Sequence, residues 1–312
     1  MKAEMTSTGI DPIQHIELDG HRLRVAIRPG KRPALLLFNG IGANLELLEP
    51  LTRALDGIET ITFDVPGVGG SALRLKPYRM RNLARLAARL LDHLGHHEPV
   101  DVLGLSWGGT LAQQFARSHP DRCRRLVLAA TTAGMLMVPG SPFVLGKLLS
   151  PRRYGDPEYL TRIAPHLYGG DVRRDPALIE AHVEHFGNPH WLGYLYQQFA
   201  LWGWSSLPWL PALRQPTLVL AGRDDPIVPL VNARLLAMLI PRARLHVLDD
   251  GHLFLLTRPE RMASLLRDFL GHEEPGTRPE PAAGAAEALS GARARRARPP
   301  GGVWRAALPP VP

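Results

Sequence analysis

The stretch "DVLGLSWGGTLAQQFARSHP", residues 101–120, decides the fold. An apolar run with the pattern of a strand buried on both faces leads into a helix-like run that begins at Thr110. Ser106 lies at the junction in the form G-x-S-x-G, between Gly104 and Gly108. A serine at such a strand–turn–helix junction has a strained backbone that exposes its hydroxyl. Ser106 is therefore predicted to be a nucleophile, and the alternative is a helix N-terminal turn without chemistry.

The same apolar pattern recurs along the chain and alternates with helix-like stretches. The eight predicted strands are 14–18, 23–27, 34–38, 59–63, 100–105, 125–130, 217–222 and 244–249. Residues 79–95 place leucines on one helical stripe and arginines on another. Alternating strands and helices predict an α/β fold with a mostly parallel eight-stranded sheet and helices on both faces.

The alternation breaks twice, and the breaks divide the chain. Residues 134–215 hold most of the aromatic residues and are long enough for an inserted helical cap. Residues 1–133 and 216–271 form the predicted core. From 272 to 312 the chain is rich in Pro, Ala, Gly and Arg, a composition that buries too little apolar surface to order, so this tail is predicted to be disordered.

Composition limits the classes of function. The 312-residue chain has a net charge of +8, but its arginines are scattered and no nucleic-acid motif accompanies them, so no nucleic-acid partner is predicted. A single cysteine, Cys123, excludes an internal disulfide. The N-terminus lacks the apolar stretch of a signal peptide, and no apolar run reaches membrane-spanning length. These features predict a cytoplasmic protein without a transmembrane segment.

A serine hydroxyl needs a base, and the base needs an orienting acid. His252 is the only histidine directly after the last predicted strand. Surface roles are predicted for five others, which are His96, His97, His182, His185 and His190. The preceding strand ends with Asp224 and Asp225, and the residues alone leave the acid open between these two. The chain order Ser, Asp, His matches a serine-hydrolase triad.

The negative oxygen formed during acyl transfer needs two backbone N–H donors. The first predicted donor is Trp107, directly after the nucleophile at a helix N-terminus. The second is Ile41, in the loop "LFNGIGAN" after the third strand, where Gly40 and Gly42 leave room. No glycine pattern of a nucleotide-binding loop is complete, and the cap histidines lack metal-ligand spacing, so neither cofactor nor metal is predicted.

Several strings together resemble one superfamily. "LLLFNGIGAN", "FDVPGVGGS", "GLSWGG", "LVLAGRDDPIVP" and "DDGHLFL" are similar to the α/β-hydrolase superfamily. More narrowly, residues 14–271 resemble intracellular depolymerases of medium-chain-length poly(3-hydroxyalkanoates), with Asn39 where most relatives have His. The resemblance implies that Asp225 is the acid. It also implies a serine hydrolase that cleaves the esters of stored polyester granules without metal or cofactor.

Aromatic side chains are common walls of apolar binding sites, which makes cap aromatics candidates for substrate contacts. The predicted substrate contacts are Asn39, Trp202 and Trp204. Two alternatives stay open at this point: a general carboxylesterase or thioesterase with the same triad, and a non-catalytic hydrolase-fold protein that coats granules. The sequence leaves the oligomeric state open.

Overall fold

The computed structural model describes residues 13–150, 152, 156–180 and 190–271. Its centre is an eight-stranded sheet in the order β1-β2-β4-β3-β5-β6-β7-β8. All eight predicted strands are confirmed, with ends that differ by a few residues. They are β1 Ile13–Leu18, β2 His21–Arg28, β3 Lys31–Phe38, β4 Ile58–Phe63, β5 Val100–Leu105, β6 Cys123–Ala129, β7 Thr217–Gly222 and β8 Ala243–Leu248.

The sheet is mostly parallel, as predicted. Strand β2 pairs antiparallel with both β1 and β4, and every other neighbouring pair runs parallel. Every residue of β5 and β7 is buried, which explains why these strands show no polar alternation. Because β3, β5, β7 and β8 run parallel, the loops that follow them open at one edge of the sheet.

Helices cover both faces of the sheet. Successive residues of β3 point to opposite faces, so that Leu36 and Phe38 join one hydrophobic core and Leu35 and Leu37 join another. The α-helices of the described residues are α1 Glu49–Ala54, α2 Met80–His93, α3 Trp107–Ser118, α4 Pro142–Leu149, α5 Pro157–Tyr168, α6 Gly170–Arg174, α7 Ala177–Glu180, α8 Trp191–Leu201, α9 Leu230–Leu239, α10 Phe254–Thr257 and α11 Pro259–Leu270.

Helix α2 shows how the sequence pattern sets the packing. Its leucines lie buried against the sheet, while its arginines lie on the exposed face. Gly95 follows the helix with a φ of 76°, a left-handed conformation that suits a helix end. One histidine prediction beside this helix is wrong, because His96 is buried and its Nε2 lies 3.3 Å from Oε1 of Glu59. Burial lowers the pKa of His96.

Helices α4 to α8 all lie between β6 and β7, within the predicted insertion 134–215. The described residues belong to one compact unit, and the separation of this insertion as a cap domain stays a prediction. Residues 181–189 of the insertion and the predicted tail 272–312 lie outside the described residues. Among the helices described, none is long and apolar enough to cross a membrane.

Candidate active site

Ser106 occupies a strained turn between β5 and α3. Its φ of 54° and ψ of −117° are unusual for a residue with a side chain. Three hydrogen bonds hold this conformation. The Ser106 N–H donates to the carbonyl of Ala129 at 2.8 Å, and the Ser106 carbonyl accepts from Thr131 Oγ1 at 2.6 Å and from the Gly109 N–H at 2.9 Å.

The glycines beside Ser106 allow three elements to pack in contact. A Cβ on Gly104 would lie 2.3 Å from the carbonyl oxygen of Gly108. A Cβ on Gly108 would lie 2.2 Å from the carbonyl oxygen of Phe38, the last residue of β3. Both distances are shorter than a Cβ tolerates, so the G-x-S-x-G pattern reflects close packing of β3, β5 and α3 around the serine.

Asp225 and His252 form a buried pair across the loops that follow β7 and β8. Asp225 Oδ2 lies 2.7 Å from Nδ1 of His252, and the two residues are 7% and 5% exposed. The other oxygen, Oδ1, accepts from the N–H groups of Ile227 and Val228, each at 2.9 Å. The carboxylate therefore has a fixed orientation. It contacts the imidazole at Nδ1, so Nε2 takes no part in this contact.

Asp224 makes different contacts from its neighbour. Its Oδ2 accepts from the N–H of Gly170 at 2.8 Å, and both carboxylate oxygens accept from Arg173 Nη1, at 2.6 and 2.7 Å. Of the two aspartates, Asp225 is the one that contacts the imidazole. Asp224 instead attaches α6 to the loop after β7.

A short segment of the insertion, Tyr168–Gly170, packs directly on both of these loops. The carbonyl of Tyr168 accepts from the His252 N–H at 2.7 Å, and the two rings stack with centroids 6.5 Å apart. A Cβ on Gly170 would lie 1.8 Å from the nitrogen of Gly251. This contact was not predicted. The two adjacent glycines of "LYGG", residues 167–170, are a sequence signal for such a close approach of two backbones.

The loop after β3 lies on the other side of Ser106. Gly42 has a φ of 71°, and its N–H donates to Oε1 of Gln197 at 2.7 Å. Asn39 folds back on the same loop: its Oδ1 accepts from the Gly40 N–H at 2.9 Å, and its Nδ2 donates to the carbonyl of Asn44. Ile41, the predicted second donor, lies between these attachments.

Asp64 forms a hydrogen bond to the chain that continues from this loop, at Leu45. Its Oδ1 accepts from the Leu45 N–H at 2.8 Å and its Oδ2 from the Gly70 N–H at 2.9 Å. Burial raises the pKa of Asp64 to about 6, although the two N–H groups and the Arg24 guanidinium oppose the shift. The loop after β3 is thus attached on two sides.

Two cavities meet at Ser106. A small one of about 30 Å³ is lined by both Ser106 and His252, together with Tyr168. A large one of about 650 Å³ extends from Ser106 towards the insertion. Ile41 lines both cavities, so the predicted donor, nucleophile and base face a common space.

The large cavity is apolar. Its wall carries no charged side chain among the described residues, and the Tyr194 hydroxyl donates to the Leu148 carbonyl at 2.8 Å. The lining residues are Ile41, Ser106, Trp107, Thr110, Thr131, Thr132, Gly134, Met135, Met137, Leu145, Leu148, Tyr194, Gln198, Phe199, Leu201, Trp202, Ile227 and Val228. A cavity of this size falls in the range of about 300–1,000 Å³ that is usual for ligand sites.

The three predicted substrate contacts have different positions. Trp202 lines the large cavity and is 65% exposed. Trp204 is absent from its wall: the indole N–H donates to Gln114 Oε1 at 2.8 Å, and the ring packs edge-on against Trp209. Asn39 lines neither cavity beside Ser106 and makes the loop contacts given above. Of the three, Trp202 alone faces the cavity.

Gln197 is a buried residue beside the site that was not predicted. It reaches the loop after β3 through its side chain, and its main-chain carbonyl accepts from Trp107 Nε1 at 3.0 Å. In the described part of the chain, no group of three or more His, Cys, Asp or Glu side chains is arranged to hold a metal ion.

Known proteins resemble this chain in sequence and in structure. A poly(3-hydroxyalkanoate) depolymerase of Ectopseudomonas oleovorans is 54% identical over 274 residues, which cover 86% of this chain and 96% of the relative. A pimeloyl-acyl-carrier-protein methyl ester esterase of Aromatoleum aromaticum is 32% identical, over 77% of this chain and 98% of its own length.

Among solved structures, an enol-lactonase of Burkholderia xenovorans superimposes with a TM-score of 0.72 at 26% identity, and covers 83% of this chain and 100% of its own. The sequence model of a family described as "alpha/beta hydrolase fold" matches residues 33–200 and 184–259 of this chain. The elbow at Ser106, the mostly parallel sheet and these matches agree, and the chain belongs to the α/β hydrolase family.

Proposed function

We propose that this protein hydrolyses the ester bonds of medium-chain-length poly(3-hydroxyalkanoate) and releases 3-hydroxyalkanoic acids, with Ser106, Asp225 and His252 as its catalytic triad. The observation that carries the proposal is the position of Ser106, between the buried Asp225–His252 pair and a large uncharged cavity. The 54% identity to a poly(3-hydroxyalkanoate) depolymerase supports the choice of polymer.

In the first half of the reaction, Ser106 Oγ attacks the ester carbonyl while His252 Nε2 takes its proton. Asp225 accepts from Nδ1–H, which keeps the imidazole in the required tautomer and stabilises its protonated form. The N–H groups of Ile41 and Trp107 donate to the oxygen that becomes negative. The C–O bond then breaks, the leaving alkoxide takes the proton from His252, and an acyl group stays on Ser106.

In the second half, water replaces the alcohol. His252 takes a proton from the water as it attacks the acyl carbon, and the same N–H donors stabilise the second negative oxygen. The acyl–oxygen bond breaks and Ser106 recovers its proton from His252, which frees a 3-hydroxy acid. None of these steps needs a metal or an organic cofactor.

The apolar cavity suits the side chains of such a polymer. A monomer unit with a pentyl side chain presents four more CH₂ groups than one with a methyl side chain, and each gains up to about 0.8 kcal/mol when it leaves water. A side chain that occupies the cavity in the transition state keeps this gain, which raises kcat/KM by about two orders of magnitude. The polar ester is then the part of the substrate that reaches Ser106.

The segments that line the cavity also expose apolar side chains to solvent. These exposed residues are Met135, Leu136, Val138, Phe143, Trp191, Leu195 and Trp202. Exposed apolar clusters on a protein surface are typical of sites that bind an apolar partner. We assign these residues to contact with the surface of a stored polymer granule, which would place the enzyme in the cytoplasm at the granule.

A general carboxylesterase is the second candidate. The 32% identity to a methyl ester esterase favours it, because the same triad would serve a small soluble ester. The two candidates differ in substrate and share their chemistry, so a test of the triad must be separate from a test of the polymer. A comparison of polymers with long and short side chains separates the two candidates.

The triad is tested with Ser106→Ala and His252→Ala, assayed on a soluble ester. Each change is expected to lower kcat by about 10⁴–10⁶, because the members of a triad act as a unit. A fluorophosphonate is expected to label the unaltered protein at Ser106 and to leave Ser106→Ala unlabelled. Thermal melting checks that both variants fold.

Ser118→Ala, at the far end of the same helix, is the matched control and should retain full activity. A folded Ser106→Ala protein that hydrolyses esters at a near-normal rate would exclude the proposed mechanism.

A further inference from the structure

Gln197 joins the insertion to both sides of the candidate oxyanion hole. It lies on α8 and is 1% exposed. Its Oε1 accepts from the Gly42 N–H at 2.7 Å, and its main-chain carbonyl accepts from the indole N–H of Trp107 at 3.0 Å. One buried residue therefore holds the loop after β3 and the first residue of α3.

The two contacted residues are the ones that set the geometry of the proposed donors. Gly42 directly follows Ile41, and its left-handed φ of 71° belongs to a backbone with many other accessible conformations. The bond from Gln197 fixes the peptide unit between Ile41 and Gly42. This peptide unit adjoins the one that carries the N–H of Ile41, so the bond limits the directions that this N–H can take relative to the N–H of Trp107.

The neighbours of Gln197 on α8 form the cavity wall. Tyr194, Gln198 and Leu201 line the large cavity, whereas Gln197 itself points away from it to the loop after β3. The helix that contacts the substrate is thus the helix that holds the candidate donors. When a side chain of the substrate binds the cavity wall in the transition state, it can stabilise the position of α8. That position in turn holds the two N–H donors that stabilise the negative oxygen.

We propose that Gln197 is a positioning residue for the oxyanion hole, acting through Gly42 and Trp107 without contact with the substrate. The inference rests on the proposed function to the extent that Ser106 is the nucleophile and Ile41 and Trp107 are the donors. It adds a specific role for the insertion: α8 orients the catalytic donors as well as enclosing the substrate.

The test replaces Gln197 by methionine, which keeps the length of the side chain and removes the acceptor oxygen. On a soluble ester, Gln197→Met is expected to lower kcat about 10- to 100-fold with KM changed less than twofold, because a misdirected donor weakens transition-state stabilisation. A trifluoromethyl ketone forms a tetrahedral adduct with a negative oxygen. Its affinity should fall by the same factor as kcat/KM, which a change in folding alone would not produce.

Gln215→Met is the matched control. Gln215 is a buried glutamine, 6% exposed, whose Nε2 donates to the carbonyls of Ala116 and Pro120, away from the site. It is expected to lower the melting temperature and leave kcat and ketone affinity unchanged. Gln197→Glu keeps an acceptor oxygen at the same reach, and its losses of kcat/KM and of ketone affinity should again be equal, but smaller.

The outcomes separate the inference from the function on which it rests. If the unaltered protein forms no adduct, or forms one that persists in Ser106→Ala, the proposed function and the inference both fail. If the unaltered protein binds the ketone and folded Gln197→Met binds it as tightly with unchanged kcat, the inference alone is overturned. A folded Gln197→Glu that loses kcat/KM without an equal loss of ketone affinity would overturn it as well.

Discussion

The backbone of Ser106 stores strain that its neighbours maintain. A left-handed residue with a side chain costs about 1–3 kcal/mol, and this cost is offset by fixed hydrogen bonds on both sides of the residue. The N–H of Ser106 bonds to the carbonyl of Ala129, and the carbonyl of Ser106 bonds to Thr131 and Gly109. The hydroxyl is therefore presented at the junction of two cavities before any substrate binds.

Asp224 and Asp225 make different contacts, so their substitution is expected to have different effects on kcat. Asp225→Asn should lower kcat by about 10⁴, because an asparagine at the imidazole favours the wrong tautomer. Asp224→Asn should lower it far less, because Asp224 contacts Gly170 and Arg173 rather than His252. Steady-state kinetics and thermal melting of both variants check the assignment. Reversed effects would identify Asp224 as the acid.

Some individual residues could be predicted from sequence because their signal is local. The G-x-S-x-G spacing predicts Ser106 as the nucleophile, and the position after the last strand predicts His252 as the base. The choice of Asp225 over Asp224 needed a family resemblance, since both follow the same strand. Trp204 was chosen for its ring type, but whether a ring faces a cavity or a helix depends on long-range packing, here with Gln114 and Trp209.

At the scale of elements, the segment that joins α5 to α6 contacts the loops that carry Asp225 and His252. Its Tyr168 carbonyl holds the His252 N–H, and the Asp171 N–H donates to the buried Asp250 at 2.9 Å. Gly170 has a φ of 50° and lies against the backbone of Gly251. The insertion therefore supports the loop of His252 from this side, as α8 supports the loop after β3 from the other.

A single methyl group should disturb this support. In Gly170→Ala, the new Cβ would lie 1.8 Å from the nitrogen of Gly251, so the loop that carries His252 has to move. A displacement of about 1 Å at a catalytic group can cost about 100-fold, which is the expected loss in kcat. Kinetics on a soluble ester measure it.

Gly146→Ala is the matched control, since Gly146 lies within α4 with nothing within 4 Å of the added Cβ. It should stabilise the fold by up to about 1 kcal/mol and retain activity. Full activity in Gly170→Ala would show that the contact does not position His252.

The strands could be predicted from sequence because burial on both faces produces a continuous apolar run, as in β5 and β7. The arrangement of the insertion could not. Helix α8 carries aromatic and aliphatic residues on several sides, so its sequence does not indicate which side faces the sheet. The contacts of Gln197 follow from that orientation, and the adjacent Gln197 and Gln198 of this mostly apolar helix give no signal of which one contacts the loop after β3.

At the scale of the whole molecule, the sheet and the insertion enclose a cavity whose described wall is uncharged and which opens at Ser106. Apolar walls gain free energy from each CH₂ group that leaves water, whereas a small polar ester gains little from them. The fold class follows from the sequence pattern. The size of the cavity does not, because it depends on how far the insertion stands from the sheet.

The most direct test of the central claim supplies the enzyme with two polyester latexes, one with pentyl and one with methyl side chains, and quantifies the 3-hydroxy acids released. The expected result is release from the pentyl polymer about 100-fold faster per ester bond, with no release by Ser106→Ala. A soluble short-chain ester assayed in parallel confirms that the preparation of the unaltered protein is active. Equal or faster release from the methyl polymer would contradict the account and favour a general esterase.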